Sequence, residues 1–415
     1  MRFNVFKNTV LFPIAIGIVL LISCGNTTKT SDEESKTEEP TAKSQELKPI
    51  TVGANQTELY LPLLIGKQVG VVANPSSVIF KNNDAYTHLV DSLLALNIKI
   101  ESVFSPEHGF RGTADAGETV KDGVDTKTGL PIISLYGNHK KPTPNDLKGI
   151  DIMMFDLQDV GVRFYTYIST LHYVMEACAE ANIPLIVLDR PNPNGSYVDG
   201  PTLEPKNQSF LGMHPIPLVH GMTIGEYAKM INGEKWLEDG IQCNLMVISM
   251  ANYNHNLPYS LPIRPSPNLP NDQSIKLYPS LGLFEGTNIN AGRGTEFQFQ
   301  RYGAPFLDKS VFTFSYTPVE NFGAKNPKHK GALCYGEDLR NEKIEGITLK
   351  WLIKAYQNAT DKSKVFNTDN FTKHAGTDKL QKQIEAGMTE ADIKATWQND
   401  LEAFKVTRKN YLIYQ

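Results

Sequence analysis

DIMMFDL, residues 151–157, and IPLIVL, residues 183–188, are the two stretches on which the fold turns. Both are apolar on each face and short, as strands buried on both sides must be. Between them, residues 168–181 place Leu171, Val174, Met175 and Cys178 on one face at i, i+3, i+4 and i+7, the spacing of an amphipathic helix. Strand, helix and strand in that order predict a parallel sheet covered above and below. The rhythm continues outward. Upstream lie strands over residues 67–74 (KQVGVVAN), 99–105 (KIESVFS) and 131–136, with a helix over 86–96 carrying Leu89, Leu93 and Leu96. Downstream, residues 244–250 form another strand, preceded by Thr223-Ile224-Gly225-Glu226, a capping box that opens a helix. Thr143-Pro144-Asn145-Asp146 predicts a further helix start, with proline at its first position and an acid at its third.

Beyond residue 265 the pattern changes. Residues 265–279 are rich in turn formers, Thr348 opens a helix through residue 356, and Thr389 opens a longer one with Ile393, Trp397, Leu401 and Phe404 along one stripe. The expectation is an α/β domain over residues 51–265 followed by a smaller α+β domain over 266–415.

The N-terminus reads as an export signal. Arg2 and Lys7 precede an apolar run from Val10 to Ile22, and Leu21-Ile22-Ser23-Cys24 has the form of a lipobox. Residues 1–23 are thus expected to be a lipoprotein signal peptide, with Cys24 as the lipidated terminus that holds the protein to a membrane of the cell envelope. An uncleaved anchor is the alternative. Residues 24–50 are polar and charged, too poor in apolar surface to offset their chain entropy, and are expected to be a disordered tether. The acidic cluster Asp32-Glu33-Glu34 fits either an export signal or a solvated linker. No later stretch reaches the ~18 apolar residues of a spanning helix. A net charge of -4 carries no basic excess that would suggest nucleic acid. Cys178, on the apolar face of a helix, and Cys243, beside a strand, are expected to be buried free thiols, with one bridge among Cys178, Cys243 and Cys334 as the alternative in an oxidising compartment.

In an open parallel sheet, ligands bind where the loops leave the carboxyl ends of the strands. That rule selects three clusters: Glu107-His108-Gly109 with Arg111 and Asp115-Ala116-Gly117-Glu118; Asp156 to Tyr167, including Asp159, Arg163, Tyr165 and Tyr167; and Asp189-Arg190-Pro191-Asn192. Each also has a structural reading. Asp189 and Arg190 can pair to fix their loop, Asp156 can cap the following helix, and Tyr165 and Tyr167 can be core residues or a platform for a sugar ring. His108 and His220 could ligate a metal, but nine histidines show no HxH or HExxH spacing, so no metal and no cofactor are expected. His220, before the capped helix, reads as a hydrogen-bonding loop residue. No Gly-x-Ser-x-Gly elbow or phosphate-binding glycine loop follows a strand.

These clusters resemble a known family, the NamZ-type exo-β-N-acetylmuramidases. The matching stretches are residues 104–109 (FSPEHG), 155–161 (FDLQDVG), 163–170 (RFYTYIST), 188–193 (LDRPNP), 267–270 (PNLP), 283–288 (LFEGTN) and 292–295 (GRGT), in order along nearly all of the folded chain. The resemblance implies a Rossmann-like, mostly parallel sheet domain joined to a smaller C-terminal domain across a cleft. It also implies hydrolysis of peptidoglycan fragments or muropeptides that releases N-acetylmuramic acid from non-reducing ends. Glu107 corresponds to the family's proposed catalytic glutamate and is the expected general acid. Glu285 is the expected second carboxylate, with Asp156 and Asp159 as rivals; Asp159 also suits a route in which the substrate's own amide attacks. Arg163, Arg190 and Arg293 are expected to clamp the lactyl carboxylate of muramic acid. His108, Tyr165, Tyr167, Asp189, Asn192, His220, Asn268 and Asn288 complete the expected sugar-binding set. The competing expectation is a surface lipoprotein that binds muropeptides or glycans without cleaving them; a metal-dependent deacetylase or amidase would need a ligand set that the sequence lacks.

Overall fold

The structure, a computed structural model, describes residues 48–81, 85–111 and 122–414. The signal segment, Cys24, most of the tether and the Asp115–Glu118 cluster lie outside the described residues.

The first strands are β1 (Gln68–Ala73), β2 (Val78–Phe80), β3 (Tyr86–His88), β4 (Lys99–Ser105), β5 (Gly123–Val124), β6 (Pro131–Ser134), β7 (Ile152–Asp156), β8 (Leu185–Leu188) and β9 (Leu245–Ile248). Seven of them form one sheet in the order β5-β6-β4-β1-β7-β8-β9. All its pairs are parallel except β5 with β6. The chain starts at β1 in the middle, runs outward through β4 and β6, then returns to the far side of β1 and continues through β7, β8 and β9. That order is the doubly wound one, and the reversal beside β1 opens a crevice at the carboxyl ends.

The sheet is buried on both faces, as the apolar runs require. From β7, Met153 and Phe155 join one hydrophobic cluster, while Ile152 and Met154 join another on the opposite side. Helices α1 (Thr57–Leu64) and α2 (Leu89–Ala95) cover the second face, and α3 (Tyr167–Glu180) and α4 (Ile224–Gly233) cover the first. Thr223 makes both bonds of the capping box with Glu226.

Local differences from the sequence reading have local causes. Residues 86–88 form a strand rather than a first helical turn, because they pair with Val78–Phe80; α2 starts only at Leu89, capped by His88. At Thr143 the box bonds form, the Thr143 N–H donating to Asp146 at 2.7 Å, but the chain goes on as turns up to Gly149 at φ +83°. Within the stretch expected to be turns, α5 (Asp272–Leu281) opens with a capping box at Asn271; the prolines before it and Pro279 near its end mask it in sequence.

The C-terminal part has a three-stranded antiparallel sheet of β10 (Arg301–Ala304), β11 (Phe314–Tyr316) and β12 (Cys334–Asp338), with β12 central. Around it pack α6 (Lys350–Gln357), α7 (Thr368–Ala375), α8 (Lys379–Glu385), α9 (Glu390–Ala395) and α10 (Gln398–Lys409). The single helix expected from Thr389 is therefore two, α9 and α10. Ile393, Trp397, Leu401 and Phe404 are nevertheless all buried, in the same cluster as Met153 and Phe155. One hydrophobic cluster thus ties the parallel sheet to the C-terminal helices. The three cysteines Cys178, Cys243 and Cys334 are free and buried.

Candidate active site

β4 delivers its chain directly into a tight turn. The Gly109 N–H donates to Pro106 O at 3.1 Å, and His108 occupies φ +71° inside that turn. A bulky residue in the left-handed region is strained, and such strain persists only where the surroundings impose it. Glu107, between the proline and His108, presents its carboxyl to a cleft. Tyr136 Oη donates to Glu107 Oε1 at 2.9 Å, and Thr166 Oγ1 donates to Oε2 at 2.9 Å. Tyr136 follows β6 and Thr166 lies in the loop after β7, so three strand ends converge on one carboxyl. Burial, and then the nearby charge of Glu107, raise the Tyr136 phenol far above its ordinary pKa, which keeps it a neutral donor.

The cleft is a cavity of about 580 Å³, large enough for a sugar of one or two rings. Glu107, His108, Tyr136, Lys140, Tyr165 and Thr166 line one wall; Glu285, Arg293, Asn370, Lys373 and His374 line the other, with Tyr278 and Asn268 between. Glu285 sits on a 3-10 turn, Gly282–Gly286, with Arg293 Nη1 3.2 Å from its Oε2. Lys328 Nζ donates to the Phe284 and Glu285 carbonyls at 2.9 and 3.0 Å. Burial pushes the Glu285 carboxyl upward, but the charges of Arg293 and Lys328 outweigh it and hold Glu285 below its ordinary pKa. Glu285 is therefore a carboxylate at neutral pH. His374 is held below its ordinary value, chiefly by burial, and is neutral there.

Of the residues expected from sequence, Glu107, His108, Tyr165, Asn268, Glu285 and Arg293 share this cleft. The others do not line it. Asp156 and Arg190 form a buried ion pair, Arg190 Nε lying 2.6 Å from Asp156 Oδ1, with side chains 0 % and 2 % exposed. Breaking such a pair leaves an uncompensated charge worth about 3–5 kcal/mol of stability, so both residues are scaffold. Arg163 is also fully buried. Its guanidinium donates to the carbonyls of Pro201, Ile216, His374 and Ala375, bracing the end of α7 against the parallel-sheet domain. Neither Arg163 nor Arg190 lines the cleft, so neither is placed to clamp a sugar carboxylate there. Asp189 accepts from Thr223 Oγ1, the Gly225 N–H and Tyr414 Oη, which places it at the N-terminus of α4. Asp159 accepts from the Gly161 N–H at 2.7 Å and lies 3.6 Å from buried His220. Asn192 donates to Met222 O and packs on Gly161, where a Cβ would come within 2.3 Å of its amide; at φ +76° this position takes glycine. Tyr167 Oη lies between Asn74 and Pro265, and exposed Asn288 bonds to Lys364 O.

Sequence reasoning overlooked Tyr136, Lys140, Phe210, Asn370, Lys373 and His374. Tyr136 and Lys140 follow a strand that the sequence did reveal, so the strand-end rule could have found them. The α7 residues are spaced i, i+3, i+4 on a helix with no signal of its own.

Sequence models of the NamZ exo-β-N-acetylmuramidase family match the chain on both sides of α5's first turn: the N-terminal model over residues 69–273 and the C-terminal model over residues 276–414. The peptidoglycan β-N-acetylmuramidase NamZ of Bacillus subtilis (strain 168) is 42% identical over 375 residues, which covers 86% of this chain and 89% of that protein. Two crystal structures of DUF1343 family proteins from Bacteroides fragilis NCTC 9343 superpose with TM-scores of 0.81 and 0.74, at 45% and 28% identity. They cover 89% and 88% of this chain and 99% of each of those chains. With matches across nearly the whole of the described chain, and with Glu107 facing the cleft between its two parts, this protein belongs to the NamZ family of exo-β-N-acetylmuramidases.

Proposed function

We propose that the protein is an exported glycoside hydrolase that releases N-acetylmuramic acid from the non-reducing ends of peptidoglycan fragments, with Glu107 as general acid. The observation that carries this reading is the Glu107 carboxyl, oriented by two hydroxyl donors on the wall of a sugar-sized cleft. Cleaving a glycosidic bond needs a proton at the leaving oxygen and negative charge near the anomeric carbon, where an oxocarbenium-like centre develops. Across the cleft, Glu285 is kept ionised by the charges of Arg293 and Lys328, so a carboxylate stands on the wall opposite Glu107. The partner carboxylate is Glu285, on the opposite wall of the cleft; replacing it by its amide and following kcat tests that role.

Muramic acid differs from other amino sugars by its lactyl carboxylate. Lys140 and Lys373 line the cleft and, among the described residues, neither forms an ion pair, so they are the receptors for that anion. Tyr165 and Tyr278 supply apolar ring surface beside it. The basic n-region, apolar run and Cys24 support export and lipid anchoring in the cell envelope.

Incubating the protein with a muramyl-glucosamine disaccharide and resolving the products by mass spectrometry tests the reading. Free N-acetylmuramic acid is the expected product. Saturable binding of an uncleaved disaccharide would make the protein a glycan-binding lipoprotein instead.

A further inference from the structure

Phe322 is a large aromatic side chain left 58% exposed, and it lies at the tip of a turn tied to the cleft. Asn321 and Ala324 exchange both backbone hydrogen bonds, at 3.1 Å each, so Phe322 and Gly323 form a two-residue hairpin loop. Gly323 takes φ +91°, and a Cβ there would come within 2.7 Å of Pro267 Cβ. This turn is fastened to cleft-lining loops rather than to the body of the C-terminal sheet. Arg293 Nη2 and Asn268 Nδ2 both donate to Gly323 O, at 3.2 and 2.8 Å. The Val319 N–H donates to Gly294 O at 2.8 Å, and Asn321 Nδ2 donates to Thr295 O at 2.9 Å. Arg293 and Asn268 line the cleft themselves. The ring makes no aromatic or cation contact among the described residues. An exposed aromatic on a mobile tip would be unremarked, but here the backbone is fixed from two sides while the ring stays bare. Such preorganisation lowers the ordering cost of whatever the ring touches.

We infer that Phe322 is the platform for the sugar on the leaving-group side of the scissile bond, stacking against the apolar face of that pyranose. This rests on the muramidase reading. When the terminal sugar occupies the cleft, the rest of the glycan leaves past its rim, and the Phe322 turn is bonded to that rim through Arg293 and Asn268. Phe322 is a specificity-determining residue, with no part in proton transfer.

The test compares two substrates with the native protein and Phe322→Ala: a muramyl-glucosamine disaccharide and methyl β-N-acetylmuramide, which has no leaving-group ring. For the disaccharide, KM should rise about tenfold, equivalent to roughly 1.4 kcal/mol, with kcat within about twofold; Phe322→Trp should restore it. kcat/KM for the methyl glycoside should stay within about twofold. Equal losses on both substrates, or an unchanged KM for the disaccharide, would overturn the assignment. Failure of the native protein to cleave either substrate would overturn the muramidase reading and this inference with it. Matching melting temperatures of native protein and variant exclude misfolding as the cause of a loss.

Discussion

The charges around the cleft are unevenly partnered. Arg293 holds Glu285 at 3.2 Å, whereas Lys140 lies 4.8 Å over the Phe210 ring and has no ion pair among the described residues. A cation already matched to a carboxylate gains little from a second anion; one without a counter-ion gains the full charge-assisted hydrogen bond, about 1.5–3 kcal/mol. Lys140→Met should therefore weaken binding of free N-acetylmuramic acid about tenfold and leave N-acetylglucosamine binding nearly unchanged. Isothermal titration measures both, and equal weakening of the two would assign Lys140 to parts of the ring that they share. The same reasoning explains what the sequence could not disclose. It identified Arg163 and Arg190 in loops that follow strands, which is where they lie, and Arg293 through the family resemblance. Residue type cannot reveal that four backbone carbonyls already engage Arg163, or that Asp156 engages Arg190. Glu107 was legible because a proline before it and a glycine two residues after leave an acidic side chain little scaffold work.

At the scale of elements, the strands were the most readable. Residues 185–188 form β8 within the expected run 183–188, because runs apolar on both faces have few other stable arrangements. Helix starts were harder: the box at Thr223 opens α4, while the similar box at Thr143 leads only into turns. A cap satisfies orphan donors, but a helix also needs an apolar stripe to bury. One junction of elements has a pH signature. Asp189 joins the end of β8 to the N-terminus of α4, and burial raises its pKa to about 6. With its folded pKa above the unfolded value of about 3.9, it contributes stability that is complete below that value and is lost as pH rises to about 6. Asp189→Asn has no such titration. Its melting temperature relative to the native protein should climb by a few degrees between pH 4 and 6.5, for roughly 2 kcal/mol. A difference that stays flat with pH would show that Asp189 does not titrate in that window.

For the whole molecule, one hydrophobic cluster spans both the parallel sheet and the C-terminal helices, so the walls of the cleft are held by a shared core. The C-terminal part was the least legible region, because its short strands and helices are specified by packing on that core rather than by strong periodicity of their own. The lipobox reading applies to the molecule as a unit: Cys24→Ala should move the protein from the membrane fraction to the soluble fraction of the expressing bacterium, and retention at the membrane would contradict a lipid anchor. Proton donation by Glu107 is tested most directly by turnover and affinity measured side by side for Glu107→Gln. An amide keeps the shape of the carboxyl but has no acidic proton, so kcat on the muramyl disaccharide should fall by about 10²–10⁴-fold with ligand affinity and melting temperature close to native. Turnover within tenfold of the native rate would contradict it.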